Sequence, residues 1–120
     1  MDLGDKLNIL VDIDGTVSED INNEEWEKFE NAYVLDGAVE GVNSLYEKGH
    51  IITFFTARRE EHREITKRWL DKNGFLYSNL LMNKPRGGSY VWIDNLKVEG
   101  VHFNGNWKAV PHLIHKRPLP

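Results

Sequence analysis

The 120-residue sequence contains no cysteine, and this absence excludes several kinds of chemistry. Without thiols the chain cannot form disulfides, carry out thiolate catalysis or build a cysteine-based zinc site. No run of apolar residues approaches the length of a membrane span. The N-terminal residues "MDLGDKLN" lack the basic head and the apolar body of a signal peptide, so we expect a cytoplasmic location and no membrane partner.

The length of 120 residues predicts a single domain over residues 1–120, and the sequence contains no internal repeat, low-complexity tract or linker-like stretch. The net charge of −4 is unevenly distributed. Residues 1–36 hold 11 acidic and 2 basic side chains, whereas residues 37–120 have a net charge of +5. Basic residues beside a carboxylate site would help to attract an anionic substrate. The absence of a long basic stripe argues against a nucleic-acid partner.

Short apolar runs rich in β-branched residues alternate with stretches of helical periodicity. The runs at 7–13 and 51–55 predict strands buried on both faces, and further strands are predicted within 78–85, 90–93 and 100–105. Helices are predicted within 36–50, 60–74 and 106–116, with Pro111 interrupting or kinking the last one. This alternation predicts an α/β, three-layer Rossmann-like fold with a central parallel sheet and no cap domain.

Polar side chains follow the predicted strands at the point where each strand ends. The first strand ends in Asp12 and Asp14, the second in Thr56 and the fourth in Asp94, and Lys84 follows the third. In open parallel sheets the ligands bind at the carboxyl ends of the strands, so these groups are expected to meet. Three carboxylates suit Mg²⁺, and a lysine with a hydroxyl beside them would complete a phosphate site for phosphoryl transfer.

The motifs "DIDGT", "FFTAR", "NKP" and "WIDN", in this order, resemble the four signature motifs of the haloacid dehalogenase (HAD) superfamily of phosphatases, in a minimal capless type. The resemblance implies that Asp12 is the nucleophile that forms an aspartyl-phosphate, and that Asp14 is first general acid and then general base. It implies that Thr56 and Lys84 bind and neutralise the transferring phosphoryl group. It further implies that Asp94 holds Mg²⁺ together with Asp12 and the backbone carbonyl of Asp14.

Two features depart from the pattern of that superfamily. Asn95 stands where many members have a second acidic residue, so we expect weaker or retuned binding of Mg²⁺ rather than none. About twenty residues separate Thr16 from Asp36, and the stretch from Thr56 to Lys84 holds one helix and one strand. Neither gap is long enough for a cap domain, so the site is expected to be open.

Several of these residues also have an ordinary structural explanation that involves no catalytic function. Aspartates before a glycine form turns, and a threonine at a strand end or a lysine in a loop is ordinary. Arg58 and Arg59 are expected to be surface charges, although Arg58 is close enough to Thr56 in sequence to contact the substrate phosphate. The aromatic residues that follow the first motif either pack that segment onto the core or form a flap over the site; they are Trp26, Phe29 and Tyr33.

The predicted function is Mg²⁺-dependent hydrolysis of a phosphate monoester, with a sugar phosphate or a similar small metabolite as the substrate. A nucleic-acid end (polynucleotide) phosphatase is the alternative enzyme. A phosphate-binding module that keeps the fold without turnover is the alternative from another class. A small substrate would need a cover for the open site, which predicts a homo-oligomer in which a neighbouring subunit supplies it.

Overall fold

A computed structural model describes residues 6–115 of the chain. Its regular elements, in chain order, are β1 (Asn8–Val11), α1 (Ala38–Glu47), β2 (Ile51–Phe55), α2 (Arg63–Lys72), β3 (Asn79–Leu81) and α3 (Val110–His115). Two 3₁₀ segments precede the first two helices, at Asn23–Asn31 and Glu60–His62. Within residues 6–115 no helix combines the length and the apolar character that a membrane crossing requires.

The three strands form one parallel sheet in the order β1–β2–β3. Val11 pairs with Phe54 in the first ladder, and Phe54 pairs with Leu80 in the second. A helix lies in the connection between each pair of neighbouring strands, as parallel pairing requires. The predicted α/β fold with a parallel sheet is therefore confirmed.

The apolar stripes of the two longer helices supply most of the core beside the sheet. Ala38, Val42 and Leu45 of α1 are buried, as their spacing predicts. On α2, Trp69 and Leu70 are fully buried, and Ile65 is partly buried against the same core. The helix periodicity of the sequence is thus confirmed at both helices.

The segment between the first strand and α1, residues 17–35, is called the insert below. Its two ends lie side by side, because the Glu19 amide donates to the Tyr33 carbonyl at 3.0 Å and the Leu35 amide to the Val17 carbonyl at 2.9 Å. Phe29 in its 3₁₀ segment is fully buried, whereas Tyr33 is exposed. The insert is closed on itself and packs on the core through Phe29.

The insert also contacts α2 directly. The indole Nε1 of Trp69 donates to the backbone carbonyl of Ala32 at 2.9 Å. Trp26, although partly exposed, stacks on His62 with 5.3 Å between ring centroids. Phe29 therefore packs the insert onto the core and Trp26 packs on His62, whereas Tyr33 is 63% exposed.

The predicted fourth and fifth strands do not form among the described residues. Residues 90–93 and 100–105 have irregular backbone, and Val91 and Ile93 are 86% and 93% exposed. The physical reason lies in the connection from β3: a parallel crossover needs a dozen or more residues, and the stretch 82–89 is shorter and contains no helix. Alternating apolar residues predict a strand only where a partner can be reached.

Two further predictions need correction. The first strand is not buried on both faces: Leu10 is 38% exposed, whereas Val11 on the opposite face is buried. Pro111 does not interrupt the last helix, because α3 begins at Val110. Proline lies there in the first turn, where its missing amide hydrogen has no partner to lose.

Trp107 connects α1 with the polar turn after β1. Its ring is buried, and its Nε1 donates to the backbone carbonyl of Thr16 at 2.6 Å. Gly41 of α1 faces the same ring, because a Cβ at this position would stand 2.7 Å from Trp107 Cε3. A glycine is therefore required in the middle of a helix, where alanine would normally be the better helix former.

We predict that Gly41→Ala lowers the free energy of unfolding. The added methyl group would displace a rigid indole at a cost of about 1–3 kcal/mol, which exceeds the helix-propensity gain of up to ~1 kcal/mol. Gly100→Ala is the matched control, since nothing lies within 4 Å of a Cβ at that position. Urea unfolding of both variants measures the difference. A Gly41→Ala variant as stable as the wild type would contradict the contact between α1 and Trp107.

Candidate active site

A tight turn after β1 fixes the two aspartates at the carboxyl end of the sheet. The backbone amides of residues 16–18 all donate to the carbonyl of Ile13, at 2.9 to 3.2 Å. Gly15 has a φ of 81°, in the left-handed region that glycine enters without steric cost. The motif "DIDGT" thus folds into one hydrogen-bonded turn that holds Asp12 and Asp14 at adjacent positions of the same edge.

Asp12 is half-buried and contacts two polar side chains. The hydroxyl of Thr16 donates to its Oδ2 at 3.2 Å, and the Nζ of Lys84 lies 3.7 Å from its Oδ1. Burial raises the pKa of the Asp12 carboxyl above its ordinary value, although the Lys84 cation and the hydrogen bonds from Ile13 and Thr16 act in the opposite direction. The carboxylate is thus partly desolvated, which favours nucleophilic attack.

Lys84 reaches Asp12 because its loop is bonded to the end of β2. The Lys84 amide donates to the carbonyl of Thr56 at 2.9 Å, and the Asn83 amide donates to the carbonyl of Arg58 at 2.8 Å. Asn83 has a φ of 64°, a conformation that asparagine tolerates better than most residues. The predicted proximity of Lys84 and Asp12 is confirmed by this geometry.

Asp14 forms a bidentate ion pair with Arg58. The Nε of Arg58 donates to Asp14 Oδ2 at 3.0 Å, and its Nη2 donates to Oδ1 at 2.8 Å. The Arg58 side chain is fully buried, which corrects the expectation of a surface charge. Arg59 is exposed, as expected. A buried guanidinium requires acceptors for its hydrogen bonds, and the Asp14 carboxyl group supplies two of them.

Thr56 is also fully buried, at the end of β2. Its hydroxyl accepts a hydrogen bond from the Arg58 amide at 3.2 Å, and its own amide donates to the Leu81 carbonyl at 2.9 Å. The structure therefore places Thr56 at the predicted strand end, where it shapes the loop that carries Arg58. Its predicted contact with a phosphoryl group stays a prediction.

An open cleft of about 430 Å³ lies in front of the two aspartates. Its lining residues come from the turn after β1, the insert and the loops after β2 and β3; they are Asp12, Asp14, Asp20, Ile21, Asn22, Asn23, Ala57, Lys84, Arg86, Gly87 and Tyr90. Of the predicted site residues, Asp12, Asp14 and Lys84 line this cleft. Thr56 and Arg58 lie behind the lining.

Several lining residues of the cleft were not predicted from the sequence. Asn22 and Asn23 of the insert belong to the lining, and so do Arg86 and Tyr90 after β3. Asn23 is held in place by its Nδ2, which donates to the carbonyl of Ala57 at 3.1 Å. No sequence pattern marks these residues, since polar residues in loops are ordinary. Arg86 is the exception, because a second basic residue two positions after Lys84 could have been noticed as part of a phosphate site.

The structure does not bring Asp94 to the aspartate pair. Its carboxylate accepts hydrogen bonds from the Trp92 indole and the Leu96 amide, both at 3.0 Å, in an exposed stretch of irregular backbone. Across residues 6–115 no three histidine or acidic side chains are grouped closely enough to hold a metal ion. The hydrogen bonds from Leu96 and Trp92 lower the pKa of Asp94 below its ordinary value.

The sequence matches the family model described as "PITM 1-3, LNS2 domain" over residues 9–91, well over half of the chain. The match begins in β1 and extends past the loop after β3. It includes Asp12, Asp14, Thr56 and Lys84, and it ends before Asp94.

One curated relative and several solved structures are similar to parts of this chain. A protein of Bacillus cereus described as a putative nucleotidase is 50% identical over 38 residues. That match covers 32% of this chain and only a fifth, 20%, of the relative's length. Most of the relative's length therefore lies outside the match.

A chain from a structure described as the Pnkp1/Rnl/Hen1 complex matches with a TM-score of 0.59 and 22% identity, over 64% of this chain and 27% of that one. A structural-genomics target from Vibrio cholerae matches with a TM-score of 0.57 and 20% identity, over 94% of this chain and 90% of that one. At such identities the likeness establishes the fold.

We predict that Lys84→Met lowers kcat/KM for a phosphate monoester by about 100-fold, because it removes a cation that would face the transferring phosphoryl group. It also removes a charge that lowers the pKa of Asp12. That pKa should rise further above the ordinary value, and activity that needs the ionised carboxylate should be lost at a higher pH as the solution is acidified.

The measurement is a pH profile of kcat/KM for the wild type, Lys84→Met and Lys67→Met. Lys67 is an exposed lysine of α2, bonded to Asp71, and serves as the matched control. An acidic limb that stays in place, or moves to lower pH, in Lys84→Met would contradict the contact between Lys84 and Asp12.

Proposed function

Because the chain belongs to the LNS2 domain family of the HAD superfamily, we propose that it is a phosphatase that hydrolyses a phosphate monoester through an aspartyl-phosphate at Asp12. One observation carries the proposal: a partly desolvated carboxylate lies at the floor of an open cleft, 3.7 Å from a lysine and beside a second aspartate. An anionic nucleophile, a cation for the phosphoryl oxygens and a proton carrier are the parts that this reaction needs.

In the first step the Asp12 carboxylate attacks phosphorus while the bond from phosphorus to the leaving oxygen breaks. Lys84 neutralises charge on the phosphoryl oxygens while the phosphoryl group passes from the substrate to Asp12. Asp14, bearing a proton, transfers it to the leaving oxygen, so the product departs as an alcohol. Thr16 holds the attacking carboxylate through its hydrogen bond to Oδ2.

In the second step Asp14, now ionised, accepts a proton from water as the water oxygen attacks the phosphorus of the aspartyl-phosphate. The bond between phosphorus and Asp12 breaks, inorganic phosphate leaves, and the Asp12 carboxylate is restored. Asp14 ends the cycle with the proton it began with. One acid thus serves both steps, which requires that its carboxyl group remain in one orientation towards the cleft.

Magnesium belongs to the proposal because the superfamily resemblance implies it, with Asp12, the Asp14 carbonyl and Asp94 as its ligands. The described residues do not fit this ligand set as they stand, since Asp94 lies in an exposed stretch away from the cleft lining. Whether Asp94 binds Mg²⁺ is decided by the titration described below.

The proposed substrate is a small phosphorylated metabolite such as a sugar phosphate, bound from a cytoplasmic pool. A nucleotide or nucleic-acid end is the second candidate, and one observation favours it: Arg86 and Tyr90 line the cleft beside Lys84. An exposed tyrosine can stack on a base, and an arginine can bind a second phosphate. The description of the Bacillus relative as a putative nucleotidase agrees with this candidate.

A panel of sugar phosphates, nucleoside monophosphates and oligonucleotides with terminal phosphates distinguishes these candidates by kcat/KM. Tyr90→Ala should lower the turnover of nucleotides selectively if the base stacks on this ring. A protein that binds phosphate but releases none from any member of the panel would be the binding module instead. The predicted homo-oligomer is compatible with the open cleft and is measured by light scattering.

We predict that Asp12→Asn lowers phosphate release by about 1,000-fold or more, because the amide cannot form the phosphoenzyme. The fold should persist, since the two side chains have nearly the same shape. Asp36→Asn, an exposed aspartate outside the cleft lining, is the matched control. Phosphate release and thermal unfolding should be followed together. An Asp12→Asn variant that retains more than a few per cent of the activity would refute the assignment of the nucleophile.

We predict that chelation stops turnover and that Asp94→Ala raises the Mg²⁺ concentration for half-maximal activity about tenfold or more, if Asp94 is a ligand in solution. Lys97→Ala, a change in the same exposed stretch, is the control. Equal Mg²⁺ titrations for the wild type and Asp94→Ala would place the metal elsewhere. Asn95→Asp should tighten Mg²⁺ binding if Asn95 occupies the second acidic position.

A further inference from the structure

Arg58 is held on every side that the structure describes. Its Nε and Nη2 donate to the two carboxylate oxygens of Asp14, at 3.0 and 2.8 Å. Its Nη1 donates to the hydroxyl of Thr66 in α2, at 3.1 Å. The ring of Phe29 from the insert lies against its face, with 3.7 Å between Cζ and the ring centroid. The guanidinium is thus fixed by three separate parts of the chain.

This arrangement leaves Arg58 unsuited to binding the substrate phosphate. Two edges of its fork are bonded to Asp14 and Thr66, one face is covered by Phe29, and the side chain is fully buried behind the cleft lining. A phosphate would have to displace Asp14 to reach it. The expectation from the sequence that Arg58 contacts the substrate phosphate does not fit this geometry. The contact of Arg58 with Asp14 indicates a different role for the same side chain.

The bidentate contact determines the orientation of the Asp14 carboxyl group. Two parallel hydrogen bonds from a planar guanidinium fix both the position and the plane of a carboxylate, which one hydrogen bond cannot do. Each carboxylate oxygen has two lone pairs, and Arg58 uses one on each. The remaining lone pairs can carry a proton, and the Asp14 side chain retains 17% exposure at the cleft.

We propose that Arg58 is a positioning residue for proton transfer: its fork, held by Thr66 and Phe29, orients the Asp14 carboxyl group towards the leaving oxygen of the substrate. The inference rests on the proposed function, in which Asp14 gives its proton to that oxygen as the phosphorus–oxygen bond breaks. The insert and α2 thereby contribute to the chemical step without touching the substrate.

The chemistry of the leaving group provides the test. A weakly basic leaving group, such as p-nitrophenolate, departs without help from an acid, whereas an alkoxide needs a proton as it leaves. Loss of the Asp14 orientation should therefore slow alkyl phosphates and spare p-nitrophenyl phosphate. The value of kcat/KM reports the steps up to departure of the leaving group, so hydrolysis of the phosphoenzyme, common to all substrates, does not obscure the comparison.

The experiment measures kcat/KM for p-nitrophenyl phosphate, phenyl phosphate and glycerol phosphate in the wild type and Arg58→Lys. Lysine keeps the charge and loses the fork. We expect a loss of about 10- to 100-fold for glycerol phosphate, an intermediate loss for phenyl phosphate and a change within about threefold for p-nitrophenyl phosphate. Arg59→Lys, at the exposed neighbouring arginine, should change none of the three values.

Thr66→Val provides a second variant, because it removes the acceptor for Nη1 and retains the charged pair. Thr66→Val should show a smaller loss of kcat/KM with the same dependence on the leaving group. If Arg58→Lys does not fold, Thr66→Val replaces it in the test. In an Asp14→Asn background the Arg58→Lys change should add no further dependence on the leaving group, since the proton carrier is already gone.

An equal loss on all three substrates, or no loss on any, would overturn the inference and leave Arg58 as a structural residue or a ligand of phosphate. Failure of the proposed function gives a different result: a wild type that hydrolyses none of the three substrates, or an Asp12→Asn variant that remains active. The two failures are therefore distinguishable within one set of measurements.

Discussion

Val11 pairs with Phe54 across the ladder between β1 and β2, and the site depends on this register. It ends both strands at the same edge, so that Asp12 and Asp14 follow one strand where Thr56 and Arg58 follow the other. A shift of one residue would turn every side chain of a strand to the opposite face of the sheet. In β1, Val11 is buried whereas Leu10 is 38% exposed, so such a shift would exchange the environments of these two side chains. The register that fills the core therefore also assembles the acidic pair and its guanidinium.

A buried arginine makes this arrangement costly to disturb. Removing one partner from a buried ion pair leaves an uncompensated charge, which destabilises a protein by roughly 3–5 kcal/mol, whereas the intact pair contributes little net stability. The described structure offsets the desolvation of Arg58 through Asp14, the Thr66 hydroxyl and the Phe29 ring. Such a contact is weak evidence for a stabilising role. It is better evidence for a role that needs one fixed orientation.

The sequence predicted those parts of the fold that have strong periodicity and a local cause. The stripe of Ala38, Val42 and Leu45, the stop at Gly49 and the position of Asp12 beside Lys84 are confirmed by the structure. Each depends on spacing along one element or on the rule that parallel strands present their ends at one edge. The predicted roles of these site residues in catalysis remain proposals.

Other features depend on distant partners and could not be derived in this way. The sequence around Arg58 does not distinguish it from exposed Arg59. Burial of the Arg58 guanidinium depends on Asp14, 44 residues away, and on Phe29. The run at 90–93 has the composition of a strand, but composition does not supply a neighbour to bond with. Phe29 could not be singled out from Trp26 and Tyr33, since which ring faces inward depends on the path of the insert.

The insert therefore has a physical role that a flap would not have. A flap acts by closing over a bound substrate, whereas Phe29 is already packed against the arginine that holds Asp14, before any substrate is present. The insert also supplies Asn22 and Asn23 to the lining of the cleft. Packing of this segment is thus linked to the orientation of the Asp14 carboxyl group. Under the role proposed for Asp14, a substitution that loosens the insert would disturb proton transfer before it exposes the core. In a site that remains open to water, such preorganisation can replace part of what closure would provide.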